Sequence, residues 1–139
     1  RNPHEACSPM FVGKVIGTVW STVKWPQLTG HKLLVVRPYH LGDLMEKNGA
    51  PVTLPPAPDA AAHEAVVCVD LLDAGVGDDV VVAFGHAARV AAQAHQASLQ
   101  AGAAAPSGSA GQAAQTTTPI DAAVVAIVDG YALTPPAAR

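Results

Sequence analysis

Residues 11–37 read FVGKVIGTVWSTVKWPQLTGHKLLVVR. Phe11–Val23 is rich in β-branched residues, with Lys14, Thr18 and Ser21 interrupting it on the polar side. This pattern predicts a strand, in which Gly13 and Gly17 mark close backbone approach or bends. Lys24–Gly30 is punctuated by Pro26 and Gly30 and predicts a turn. Lys32–Arg37, KLLVVR, is almost continuously apolar and predicts a second strand. Two strands joined this closely form a hairpin or the start of a meander.

The same reading extends along the chain. Pro38–His63 is loop-like, carrying Gly42, Gly49 and the run Pro55-Pro56-Ala57-Pro58. Ala65–Leu72 predicts a third strand, Asp73–Asp78 a glycine-rich turn, and Val80–Phe84 a fourth strand that Gly85 ends. Ala87–Gln100 is rich in Ala and Gln, and propensity alone favours a helix there. Ala101–Gln115 reads as a flexible linker of Ala, Gly, Ser and Gln. Thr118-Pro119-Ile120-Asp121 carries a helix-start signal: a capping hydroxyl, proline at the first helical position and an acid for the dipole. Only Ala122 and Ala123 follow before Val124–Val128, a fifth strand, so one helical turn is expected before it. Five short strands separated by turn signals predict an all-β chain closed into a small barrel. That domain spans residues 10–133, with loop insertions at about 39–64 and 90–118. Residues 1–9 are expected to be a disordered extension, with Met10 as the natural start, and 134–139 a frayed tail.

Composition narrows the function classes. The chain has 139 residues, enough for one compact domain. Half of it is hydrophobic, yet it holds only two each of Phe, Trp and Tyr. A core built mainly of Ala and Val buries little area per side chain, which favours further burial through self-association. The formal net charge is −3 and no basic block stands out, so there is no electrostatic footprint for nucleic acid. The apolar runs are strand-length, far below the roughly 20 residues of a membrane-spanning helix. Arg1–Pro9 lacks the apolar stretch of a secretory signal. Cys7 and Cys68 make a poor disulfide framework, and a reducing cytoplasm is the simpler setting. Cys68 lies in an apolar run, where a free cysteine acts as a small hydrophobe.

No catalytic or cofactor-binding pattern emerges. Gly75-Val76-Gly77 lacks the third glycine of a nucleotide fingerprint and leads into a strand, so a tight turn is the better reading. Gly13-Lys14 is followed by Val15, where a phosphate-binding loop needs Ser or Thr. His4 and Cys7 have no second ligand pair, so no metal is expected. Asp70, Asp73, Asp78 and Asp79 flank a glycine turn, where aspartate commonly caps backbone groups. No Ser, Cys or Thr stands in a nucleophile motif. Trp20 and Trp25 flank the first turn. With no basic groove beside them, core or subunit-contact roles are expected, Trp25 being the more exposed.

Several segments, in order, resemble the pentameric vertex-protein family of bacterial microcompartment shells, which includes the ethanolamine-compartment and carboxysome vertex proteins. They are Gly13–Val19 with Leu28–Pro38, then Val69-Asp70 and Asp73–Asp78 leading into Val80–Val82, then Gly85–Arg89, and finally Pro119–Asp129. The resemblance implies an OB-like topology for the five-stranded barrel and a cyclic homopentamer at the corners of a polyhedral shell in the bacterial cytoplasm. Its partners would be hexameric and trimeric shell proteins, with no catalytic, cofactor or metal site, no nucleic acid and no membrane. Hexagons alone tile a flat sheet, so a closed polyhedron needs pentagons at its corners; a head-to-tail contact that closes after five copies makes one. The structural and assembly positions it implies are Gly13, Lys14, Gly17, Thr18, Gly75, Gly77, Asp78, Gly85, His86, Arg89, Asp121 and Asp129. His86 and Ala87 stand where the family usually carries small or hydroxyl residues, and Leu71-Leu72-Asp73 where it usually carries threonine-valine-glycine. If His86 lines the ring, five imidazoles form a pH-sensitive girdle. Arg89 either bridges to a neighbouring subunit or caps a local carbonyl. The rival reading is a monomeric OB-like module that binds nucleic acid or a small ligand.

Overall fold

A computed structural model describes residues 10–47, 65–102 and 119–134. Five strands form a closed barrel: β1 (Met10–Val19), β2 (Lys32–Pro38), β3 (Val66–Asp70), β4 (Asp79–Phe84) and β5 (Ala122–Ile127). Around the barrel the order is β1-β2-β3-β5-β4, with β4 pairing back to β1. All neighbours are antiparallel except β3 and β5. This is the five-stranded OB-like arrangement expected. Two helices accompany it, α1 (Leu41–Lys47) and α2 (Gly85–Gly102).

The inner faces of the strands supply the core. Val15, Leu34, Val36, Cys68, Val80, Val82 and Val124 are all at most 2% exposed and form one cluster. A second cluster lies outside the barrel wall, where Ala88 and Ala92 of α2 meet Val69, Leu71, Ile120 and Ala123. The two alanines are one helical turn apart and share a face. Their small side chains let α2 lie close against β5.

Element ends depart from the sequence expectation for local reasons. β1 stops at Val19 instead of Val23. Beyond it the Ser21 hydroxyl donates to the Val23 carbonyl at 2.6 Å, a local bond that competes with the ladder. β3 stops at Asp70 instead of Leu72, because the Asp70 carboxylate accepts the Leu72 N–H at 3.1 Å. The predicted loop after Pro38 contains α1, where the Asp43 carboxylate accepts the His40 N–H at 3.0 Å in capping-box fashion. Residues 90–102 of the second predicted insertion are helical, because α2 starts on Gly85 directly after β4. A helix thus precedes the last strand, but it is α2. Pro119–Asp121 is coil and bend, since Ile120 is drawn into the second cluster at 2% exposure and β5 starts at Ala122, two residues early. The extension at 1–9, the proline run at 55–58, the linker at 103–115, Thr118 and the tail from 135 lie outside the described residues.

Gly13 has a steric reason. A Cβ there would stand 2.5 Å from the Arg37 carbonyl oxygen and 2.8 Å from Val36 Cγ1. Backbone in a closed barrel cannot give way as a flexible side chain can. Gly13→Ala is expected to cost about 1–3 kcal/mol, read as a lower urea midpoint at unchanged m-value.

Candidate assembly surface

The residues singled out in the sequence fall into two groups at opposite ends of β4. At its start, the turn after β3 is locked to β1. Gly77 takes a φ of 99° and Asp73 one of 62°, the left-handed region. The Asp78 carboxylate accepts the Gly75 N–H at 2.8 Å, and Gly77 N–H donates to the Val15 carbonyl at 2.9 Å. Lys14 donates to the Gly77 carbonyl at 3.1 Å and pairs with Asp79 at 2.9 Å. Asp79 also accepts the hydroxyl of Tyr39. Lys14, Gly75, Gly77 and Asp78 thus form one intrachain lock.

Lys32 completes this end of the barrel. Its ammonium meets Asp70 at 3.0 Å, Asp73 at 2.9 Å and the Ala74 carbonyl at 2.7 Å. The hydrogen bonds that Lys32 donates to Asp73 and Asp70 raise its pKa, and Lys32 in turn lowers that of Asp73.

At the other end of β4, Gly85 turns the chain from strand to helix with a φ of 58° and donates its N–H to the Asp121 carbonyl at 2.9 Å. Arg89 pairs with the Asp121 carboxylate at 3.1 Å, so its described partner is within the chain. Asp121 stands in a bend and serves this ion pair instead of starting a helix. His86 is exposed on the first turn of α2. Asp129 is exposed after β5 and belongs to the first end, since Val128 N–H beside it donates to the Asp79 carbonyl at 2.7 Å. Gly17 sits in β1 where the register against β2 shifts, leaving Ile16 as the bulged residue, and Thr18 is exposed beyond it.

Buried Cys68 and Tyr39 and half-buried His31 depart from their ordinary titration. Burial, then the Asp70 charge, pushes the Cys68 thiol up to about 12. Burial and the hydrogen bond to Asp79 raise Tyr39. Burial, then the charges of His95 and Lys24, lowers His31. A folded-state pKa above the unfolded one means that the unfolded chain loses its proton first as pH rises. Cys68, Tyr39 and Lys32 therefore all make stability fall on the alkaline side. For Cys68 the loss runs between an ordinary thiol value of 9.0 and about 12. At pH 10 its share is about 1 kcal/mol. The expected result is a lower urea midpoint at pH 10 than at pH 7, with a shallower decline in Cys68→Val.

What the sequence reading missed is an apolar rim. Trp20 is 91% exposed, Val23 87% and Trp25 63%, so neither tryptophan belongs to the core and Trp20, not Trp25, is the more exposed. Ile16, Val19 and Val67 add to the apolar surface. Periodicity could not announce this, because β-branched and aromatic residues read alike on either face of a strand. Among the described residues no three His, Cys, Asp or Glu side chains converge as a metal site would require, and no helix is long and apolar enough to cross a membrane.

Residues 10–106 match the family described as ethanolamine utilisation protein EutN/carboxysome. The bacterial microcompartment shell vertex protein GrpN of Rhodospirillum rubrum (strain F11) is 42% identical over 80 residues, 58% of this chain and 72% of that protein. The solved pentameric shell protein GrpN from R. rubrum aligns with a TM-score of 0.53 at 32% identity, covering 90% of this chain and 99% of its own. The structure of Gloeobacter violaceus CcmL aligns at 0.52 and 23% identity over 88% and 89% of the two chains, a likeness of fold.

Proposed function

Because the chain belongs to the EutN/carboxysome family, we propose that it is a structural shell protein whose five copies form a ring capping the vertices of a bacterial microcompartment. The observation that carries this is the match to GrpN, a microcompartment shell vertex protein, in sequence and in fold. The described surface agrees with an assembly role, since it exposes tryptophan and β-branched side chains together at one end of the β1–β2 hairpin. The role is structural and not catalytic: the charged groups of the two clusters are spent on one another and on the backbone. Hexameric and trimeric shell tiles are the partners that geometry requires, since a five-fold piece closes a hexagonal sheet only by seating in it. Lys14, Gly75, Gly77 and Asp78 hold the corner of each subunit in shape, with Asp129 beside them, and Gly85, His86, Arg89 and Asp121 shape the opposite end. Gly13, Gly17 and Thr18 set the course of β1 between them.

Native mass spectrometry of the purified chain at low micromolar concentration tests the reading. A dominant five-subunit species is expected, and mixing with hexameric tiles is expected to convert open sheets into closed particles under the electron microscope. A monomer that persists on concentration would favour the lone OB-like binding module.

A further inference from the structure

We infer that the β1–β2 hairpin carries a binding site for a small phosphate monoester, its phosphate held by Thr22, Lys24 and Thr29 and its carbon part laid against Trp20. The site lies within one copy of the chain and does not depend on the ring. Two clefts meet where the chain passes from β1 to β2. One, of about 450 Å³, is lined by Ser21, Thr22, Lys24, Thr29 and Gly30 together with Val23. The other, of about 280 Å³, is lined by Val19, Trp20 and Lys32, and it shares Ser21 and Lys24 with the first. The first is walled by hydroxyls and an ammonium, the second by an indole and a valine. A polar pocket opening beside an apolar one suits a ligand with a charged end and a carbon end.

The polar cleft is a set of donors. An ammonium has three N–H groups. Lys24 gives one of them to the His31 carbonyl at 2.7 Å, which fixes the head of the side chain and leaves the others for a ligand. Among the described residues, no hydrogen bond engages the hydroxyl of Thr22 or of Thr29. The wall that carries them is set in advance. Leu28 N–H donates to the Trp25 carbonyl at 2.8 Å, Thr29 N–H to that of Pro26 at 3.2 Å and His31 N–H to that of Leu28 at 3.1 Å. A wall ordered before binding lowers the entropy that binding costs.

Charge selects the ligand. The chain carries 11 acids against 8 Lys and Arg, yet no Asp or Glu stands between Glu5 and Asp43, a stretch that holds Lys14, Lys24, Lys32 and Arg37. Among the described residues, no carboxylate lines either cleft. Lys14 is paired with Asp79, and Lys32 with Asp70 and Asp73. Lys24 has no carboxylate partner among the described residues. A cation and two hydroxyls match the three acceptor oxygens of a phosphate monoester, whose bonds to an ammonium are charge-assisted. A carboxylate offers one oxygen fewer and half the charge. Trp20, at 91% exposed, presents a bare ring face on which a planar carbon group can lie.

Isothermal titration calorimetry of the full chain with phenyl phosphate, at neutral pH and fixed ionic strength, tests the site. Saturable binding is expected, tighter than that of inorganic phosphate or of benzoate. Lys24→Gln, which keeps a donor for the His31 carbonyl, is expected to weaken phenyl phosphate about tenfold or more, and Thr22→Val combined with Thr29→Val about fivefold. Trp20→Ser is expected to weaken phenyl phosphate and leave inorganic phosphate unchanged. These side chains are exposed or half-buried, so the urea midpoints are expected to stay at the wild-type value, which separates loss of the site from loss of the fold. Wild type that takes up no phenyl phosphate, or a Lys24→Gln variant that binds it as tightly as wild type, overturns the site. Inorganic phosphate or benzoate binding as tightly as phenyl phosphate overturns the choice of an ester.

Discussion

Leu34→Ala is expected to cost about 2–5 kcal/mol, toward the upper end. Leu34 is fully buried and is the largest side chain in the barrel interior. Its neighbours include Val15, Val36, Val80, Val82 and Val124. Valines hold one strongly preferred rotamer and sit on strands tied into a closed ring, so they cannot lean into the space left behind. Collapse of the site is blocked, and the cavity term adds to the lost transfer energy. A domain of this size has about 5–15 kcal/mol in hand, so the variant loses a large fraction of it. Urea unfolding of the variant at neutral pH reads the loss. Leu34→Val, which keeps most of the volume, is expected to lose less than half as much.

Lys32→Met is expected to destabilise by about 3 kcal/mol, the low end for breaking a buried ion pair. The Asp70 side chain is 1% exposed, and Lys32 is its cationic partner. Methionine leaves that carboxylate with the Leu72 N–H and no counter-charge. The figure sits at the low end because Lys32 itself is 40% exposed, and water partly replaces the ammonium. The same change frees Asp73, which is exposed enough to hydrate, and takes the ammonium donor from the carbonyl of buried Ala74. Adding Asp70→Leu to Lys32→Met is expected to recover most of the loss, since the uncompensated charge is then gone. Urea midpoints of the two single variants and the double variant form a cycle that measures the coupling.

The contrast between these two residues shows what a sequence makes legible. The run Lys32–Arg37 declares itself as a strand through unbroken apolar, β-branched composition, and Leu34 as its centre is visible from that run alone. The ion-pair role of Lys32 is not. It depends on β3 lying beside β2, which brings Asp70 and Asp73 back across some forty residues of chain. The glycine turn at Asp73–Asp78 was legible because glycine tolerates the conformation its backbone takes. Pro119–Asp121 forms no helical turn, because burial of Ile120 is a tertiary gain that outweighs local propensity. The pairing of Arg89 with Asp121 is not legible either, because only the corner at Gly85 brings the two near. The apolar rim was hidden for a related reason: nothing in FVGKVIGTVW says that β4 gives out at Lys14 while β1 continues.

The strand order also dictates a timetable. β5 leaves the ribosome after the other four described strands, yet it sits between β3 and β4, and it pairs Val69 with Ala123 and Val80 with Ile127. Until residues 122–127 emerge, the wall has a strand-wide gap and its inner valines have no lid. The core therefore closes only after residues 122–127 have emerged, and the non-local pairing that closes it is slow compared with hairpin formation. A nascent chain carrying β1–β4 is a half-cylinder with apolar edges, the kind of species that associates in the wrong way when crowded. Closure of the barrel thus waits on β5 reaching the slot between β3 and β4.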